Sequence, residues 1–396
     1  MPAPAPAELL KTLISIPSVN PMGRPLSGEQ FLETRLSGWL QEFLTAHNLP
    51  CEAVEVAPGR TNLLSRIDGD SNCGTVLFDV HQDTVPVDGM TIPPFDPCHE
   101  NGRISGRGAC DVKGGMASML TAFIRLHEER PAGMPTVVLS LSVDEEATSI
   151  GINHLANAWA SGSGQYSLCP QAPDAAIIAE PTELDLVVAH RGAVRWTIGT
   201  SGRACHSSSP ALGINAIYEM GHVLQLLQEY ATELPTSRPA HQLCGPATLS
   251  VGLINGGSSV NVVPDFCEIH VDRRVLPGEE PMLARQELID WLAARCRNPL
   301  LHGDAYCRSP ALGDELNGSL SAKLLTSVGR IDGQHRILGV PFGTHASRLA
   351  AIGIPSVVFG PGSIDQAHTK DEWIEERQLQ LAADILFDFC STPVTS

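Results

Sequence analysis

Short apolar runs that lead into carboxylates or a histidine constrain this chain more than any other feature of it. Residues 75–80 run into His81, residues 136–142 into Asp144, Glu145 and Glu146, and residues 175–179 into Glu180. Runs this short, rich in Val, Ile and Leu, predict strands buried on both faces. Residues 114–126, between the first two runs, read as a helix. Strand and helix in alternation predict the α/β class, with helices packed against a sheet. In such sheets functional groups gather beyond the carboxyl ends of the strands. Upstream, Ser27 and Gln30 form a capping box ahead of the helical spacing Phe31, Leu32, Leu36, Trp39, Leu40 and Phe43.

The texture changes near His190. Residues 192–200 alternate as a strand, 215–230 carry helical spacing, 247–254 and 266–275 read as strands, and 282–295 return to helix. This order predicts a small inserted α+β unit of about four strands and two helices. A strand at 356–359 and a helix at 375–389 resume the first pattern. A chain of 396 residues exceeds what one core supports, so the expectation is a discontinuous first domain over 1–190 and 308–396 and an insert over 191–307.

A net charge of −18 argues against nucleic acid and anionic membranes as partners. No apolar run reaches the roughly 18 residues of a spanning helix. The start, MPAPAPAELLKTL, lacks the basic-then-apolar order of a secretory signal, which makes the cytoplasm the expected location. The 11 cysteines contain no C-x-x-C pair and read as small hydrophobes rather than a zinc ribbon.

Five motifs carry chemistry. His81-Gln-Asp83-Thr-Val-Pro offers an imidazole for a metal, and Asp83, on the same side of an extended backbone, is a candidate acceptor to orient it. Asp111 lies in the glycine-rich turn Gly106-Arg107-Gly108-Ala-Cys110-Asp111-Val-Lys113-Gly114-Gly115. Its two oxygens can bridge two ions; the alternative is a helix N-cap. The glycine pair downstream is poor helix material and points to a close backbone approach. Glu145 and Glu146 diverge as neighbours, so one can bind metal while the other faces a reacting water; a solvated acidic loop is the alternative. Glu180-Pro-Thr and Ala367-His368-Thr complete the set, and Gly360 and Gly362 are candidates to offer backbone N–H groups to a substrate carboxylate. Carboxylates and imidazoles in this number suit two ions about 3.5–4 Å apart sharing one carboxylate. Nitrogen and oxygen donors without thiolate suit zinc, with cobalt and manganese as alternatives.

In this order and spacing the motifs resemble the zinc-dependent deacylase and exopeptidase family of acetylornithine deacetylase, succinyl-diaminopimelate desuccinylase and glutamate carboxypeptidase, over nearly the whole chain. The resemblance implies two Zn²⁺ per chain, His81 and Glu180 on one, Glu146 and His368 on the other, and Asp111 between them. It implies Asp83 as the residue orienting His81 and Glu145 as general base. Gly202-Arg-Ala-Cys-His206-Ser-Ser-Ser-Pro210 looks like the family's dimerisation signature, so the insert is expected to be a ferredoxin-like lid in a homodimer, with His206 serving the partner's site. Asn261 and Arg274 resemble residues that hold a substrate carboxylate; an ion pair with Asp272 or Glu268 is the other reading of Arg274. Phe342-Gly-Thr344-His345 departs from the family, which often carries an acidic residue at the last position. The implied activity is amide hydrolysis of an N-acyl amino acid beside a free carboxylate. A dipeptidase or glutamate-releasing carboxypeptidase is the alternative, and a catalytically silent binding protein a distant one.

Overall fold

The computed structural model describes residues 2–392. The chain forms two compact units: Met1–Val188 with Asp314–Leu338 and Thr344–Ser396, and Ala189–Gly313 with Gly339–Gly343. The first unit is built on an eight-stranded mixed sheet. Its order is Glu52–Ala57, Arg60–Ile67, Thr136–Ser142, Thr75–His81, Ala175–Ile178, Ser356–Val358, Leu186–His190 and Ile337–Val340.

The middle of that sheet explains the site. Thr75–His81 runs parallel to Thr136–Ser142 and to Ala175–Ile178, which runs parallel to Ser356–Val358. Four parallel neighbours therefore end on the same edge. Thr136–Ser142 is buried along its whole length, so both faces of the sheet are covered. Helices Pro6–Ile14, Lys113–Glu129, Gly318–Ile331 and Glu376–Ser391 pack side by side as one layer. Lys113–Glu129 is buried continuously from Lys113 to Ile124, which its Met116, Leu120, Phe123 and Ile124 require.

The second unit is antiparallel. Thr248–Gly256 lies at one edge, followed by Phe266–Val275 and Gly192–Ser201. The fourth row is divided between Leu301–His302 and Cys307–Ser309, which pair with different parts of Gly192–Ser201. Phe266–Val275 alternates between buried and less buried positions, as a strand with one core face must. Trp196, Ile198, Ile269, Val271, Leu227 and Leu288 form the core with helices Ala216–Ser237 and Pro281–Ala293. The Asn215 side chain caps the first of these by accepting from the Ile217 and Tyr218 amides. Among the described residues no helix is long and apolar enough to cross a membrane.

One local expectation fails for a reason outside its own segment. The capping box at Ser27 and Gln30 does not form: the helix begins at Thr34, and Glu33 at its N-cap makes no side-chain cap. Tertiary pairing takes the segment instead, because the Gln30 carbonyl accepts from Val19 and the Leu32 amide donates to Val19. The N-cap alternative for Asp111 is not taken, since Val112 holds the N-cap position.

The glycine pair Gly114 and Gly115 stands in the first turn of helix Lys113–Glu129 because a larger residue would clash there. A Cβ on Gly114 would lie 2.5 Å from the Ala109 carbonyl oxygen. Gly114→Ala is therefore expected to cost about 1–3 kcal/mol by overpacking. Gly38→Ala, at an exposed position of helix Thr34–Ala46 with open space around it, should stabilise by about 0.4–1 kcal/mol. Urea unfolding of both variants checks the contrast, which fails if Gly114→Ala is neutral.

Candidate metal centre

His81 closes strand Thr75–His81, almost fully buried. Its Nδ1 lies 2.9 Å from the Asp83 backbone carbonyl. A carbonyl can only accept, so Nδ1 carries the hydrogen and Nε2 faces Asp111 Oδ1 at 3.2 Å. The orienting acceptor is thus the main chain of Asp83, while its carboxylate stands 3.6 Å from Nδ1. That carboxylate does something else: it accepts the Glu145 amide at 3.0 Å and the Glu146 amide at 3.1 Å.

Asp111 joins the rest. His81, Asp111 and Glu180 form one group, and Asp111, Glu146 and His368 another, each with its ligand atoms within 4.8 Å of one another. Oδ1 of Asp111 faces His81, and Oδ2 lies 3.1 Å from His368 Nε2. One oxygen per group is what a bridging carboxylate requires. His368 Nε2 also lies 3.2 Å from Glu146 Oε2, while the buried Glu146 Oε1 has no hydrogen-bond partner. An orphaned carboxylate oxygen beside nitrogen and oxygen donors alone fits divalent cations such as zinc.

These groups titrate away from their ordinary values. Hydrogen bonds to Asp111 and Glu146 push His368 up to about 10. Burial works to lower His81, but Asp111, Glu180, Asp83 and Glu145 hold it well above the ordinary imidazole value. Burial, reinforced by Asp111, pushes Glu146 up to about 8 and Glu180 well above the carboxylate range. Glu145 is raised too, first by burial. Asp111 moves the other way: burial opposes its ionisation, and hydrogen bonds from His368 and His81 overcome burial.

Sequence reasoning missed the groups that hold the Glu145–Glu146 turn. Asp144 adopts a left-handed conformation at φ 64°. Asn20 Nδ2 donates to both Asp83 and Asp144 at 2.8 Å, and Arg60 pairs with Asp144 at 3.0 Å and with buried Glu33. Nothing local marks Asn20 or Arg60, and Asn20 lies 124 positions from Asp144.

The glycines expected to cradle a substrate carboxylate do not offer free amides. Gly360 N–H donates to Thr182 Oγ1 at 3.1 Å and Gly362 N–H to Gln378 Oε1 at 2.7 Å. Their smallness serves contact instead, since a Cβ would come 2.6 Å from the Glu180 carbonyl oxygen at Gly360 and 2.6 Å from Cys110 Sγ at Gly362. His345 is in neither ligand group. It is buried, with Nδ1 2.8 Å from Asp79 Oδ2 and its ring edge-on to His81.

In the second unit, His206 and Asn261 come together. Cys205–His206 pairs with Val262–Val263, and the Ser207 amide donates to the Asn261 carbonyl. Both residues are exposed. His206 Nδ1 accepts from the Ser208 amide at 3.2 Å, which leaves the imidazole hydrogen on Nε2. Arg274 forms the ion pair weighed above: Nε and Nη2 lie 2.9 and 3.1 Å from the Asp272 oxygens.

Two ligand groups around a shared carboxylate, at the carboxyl edge of an α/β sheet, define the site of a metal-dependent hydrolase. The profile of peptidase family M20/M25/M40 matches residues 77–392, and the chain belongs to that family. It is 31% identical to acetylornithine deacetylase of Vibrio cholerae serotype O1 over 94% of each chain. It is 30% identical to acetylornithine deacetylase of Proteus mirabilis, over 97% of this chain and 96% of that one. In three dimensions it is similar to an M20 family metallo-carboxypeptidase of Sulfolobus solfataricus, with TM-score 0.76, 18% identity, and 98% of this chain and 99% of that one covered.

A ligand must shed its proton before it holds a cation. Glu146 and His368, raised to about 8 and about 10, keep their protons below those values. Zinc uptake at pH 7 is therefore expected to release protons and to weaken as pH falls. Calorimetric titration in two buffers of different ionisation enthalpy measures this. Release should fade above about pH 10; no release at pH 7 would contradict the raised values.

Proposed function

We propose that this chain is a two-zinc amidohydrolase that cleaves an N-acyl amino acid at the amide beside its free carboxylate. The observation that carries this reading is Asp111, with one oxygen in each ligand group. His81 and Glu180 would hold one ion and Glu146 and His368 the other. When bound, such ions polarise a carbonyl and acidify water. Glu145, raised by burial and left out of both ligand groups, takes the proton from water and delivers it to the leaving amine. The deacylase reading is favoured over a dipeptidase or glutamate-releasing carboxypeptidase because the relatives at 30–31% identity are acetylornithine deacetylases along nearly their whole length.

The roles of His206, Asn261 and Arg274 are carried over from the resemblance. Its Nε2–H makes His206 a hydrogen-bond donor, the form an oxyanion needs. Asn261 beside it, and Arg274 fixed along one edge by Asp272, would orient the substrate carboxylate. A homodimer accounts for the apolar surface of the second unit. Leu253 and Ile254 are exposed on the edge strand Thr248–Gly256, and Tyr218 on helix Ala216–Ser237 is 77% exposed. An open apolar edge strand of this kind is a template for pairing with a second copy.

A panel of N-acyl amino acids and dipeptides, assayed with added zinc or cobalt, tests the substrate class; turnover of dipeptides alone would move the assignment to peptidase. Glu145→Gln keeps its size but loses the base, so kcat should fall about 10²–10⁴-fold with metal content unchanged. Asp111→Ala should lose both ions and all activity; normal turnover with two ions retained would refute the bridge.

The dimer has its own test. His206→Ala should lower kcat about 10²–10³-fold as an oxyanion donor is lost. Mixing it with Glu145→Gln under subunit exchange creates one site with an intact base and a partner-supplied imidazole. Activity should rise above either parent. Demonstrated exchange without recovery means that His206 does not act in trans.

A further inference from the structure

We infer that Glu372 is the positioning residue that sets Asp111 between the two ligand groups, by tying the loop that carries Asp111 to the loop that carries His368. This rests on the two-metal reading above.

Glu372 is fully buried, yet its carboxylate lacks nothing. Oε1 accepts the Cys110 amide at 2.8 Å and the Asp111 amide at 3.0 Å. Oε2 accepts the Gly108 amide at 2.9 Å and Arg107 Nη1 at 2.7 Å. Three main-chain N–H groups of one turn thus converge on a single side chain. They leave that turn little freedom, and Asp111 is its last member.

The turn can wrap the carboxylate because Gly106 and Gly108 adopt φ of +149° and +81°. At Gly108 a Cβ would also meet Thr84 Cγ2 at 2.8 Å. Glu372 itself follows His368 by four residues. The Gly106 amide donates to its carbonyl, and Arg107 Nη2 donates to the Thr369 carbonyl. Asp111 and His368, which meet at 3.1 Å, therefore come from two loops fastened at one carboxylate.

The chemistry demands an ionised acid. A glutamine would turn its NH₂ towards two donors whichever way it faced, leaving buried N–H groups unpaired. A role confined to stability is separable from positioning. Trp373–Glu375 pairs with Arg103–Ser105 through the main chain, and that pairing does not need the Glu372 side chain. Loss of the carboxylate should loosen residues 108–111 and leave the loops joined.

The experiment compares wild type, Glu372→Gln and Arg107→Met. Chelator competition gives the zinc constants, and the visible spectrum of the cobalt-loaded proteins reports ligand geometry. In Glu372→Gln, zinc binding should weaken about 10–100-fold, as when a partner of a ligand is lost. The cobalt spectrum should change, and kcat should fall with KM near wild type. Arg107→Met keeps all three amide bonds, so its loss should be the smaller one. Wild-type zinc constants and an unaltered spectrum in Glu372→Gln would overturn the inference. If wild type itself binds no zinc, the two-metal reading is what has failed. Should Glu372→Gln not fold, hydrogen exchange of the stripped wild-type protein decides. Amides 108, 110 and 111 should be protected without zinc; protection only on zinc addition would mean that ions, not Glu372, order the turn.

Discussion

Five carboxylates crowd around two imidazoles at one edge of the sheet, and the rest of the first unit is arranged to bear that. The charge of Asp111 raises Glu145, Glu146 and Glu180, that of Asp83 raises Glu145, and His81 and His368 are compensating groups beside them. Two unit charges 4 Å apart at a partly buried site repel by about 4 kcal/mol. Such a cluster drifts apart or stays protonated unless cations enter it and the backbone holds the ligands in place. The raised values of Glu146 and Glu180 are the signature of that tension.

The backbone holds them by using other carboxylates as anchors. Asp83 accepts two consecutive amides of the Glu145–Glu146 turn, and Glu372 three amides of the Asp111 turn. In each case a buried acid is satisfied by N–H groups, and the ligand's main chain is pinned as a consequence. Arg60 and Asn20 supply the counter-charge and hydrogen bonds that keep Asp144 in its left-handed conformation. The peptides that carry Asp111, Glu145 and Glu146 are thereby tied to buried carboxylates.

Glycine plays the complementary part. Gly114, Gly360 and Gly362 lie where a Cβ would strike the Ala109 carbonyl, the Glu180 carbonyl or Cys110 Sγ. Close approach lets loops from distant parts of the chain meet around Asp111. It also explains why the Gly360 and Gly362 amides are spoken for by Thr182 and Gln378 rather than left for a substrate.

Much of this was legible in the sequence, because it is written in local pattern. Unbroken apolar runs predict the buried parallel strands, and alternation over 192–200 predicts the strand found as Gly192–Ser201. Polar residues at the ends of those runs mark His81, Glu145, Glu146 and Glu180 as candidates, and the parallel pairing of the strands brings those ends to one edge. What the tertiary structure alone decided is long-range or directional. Glu372 reaches the Asp111 amide across 261 positions, with no local sign beyond an acidic stretch. The His81 hydrogen goes to a main-chain carbonyl that sequence cannot rank against the Asp83 side chain. The helix after Ser27 starts late: Val19 takes the Gln30 carbonyl and the Leu32 amide, groups that an earlier start would have bonded within the helix. Hydrogen-bond partners are chosen by distance and angle among groups brought together by folding, and a one-dimensional pattern shows which groups need a partner but not which partner each one meets.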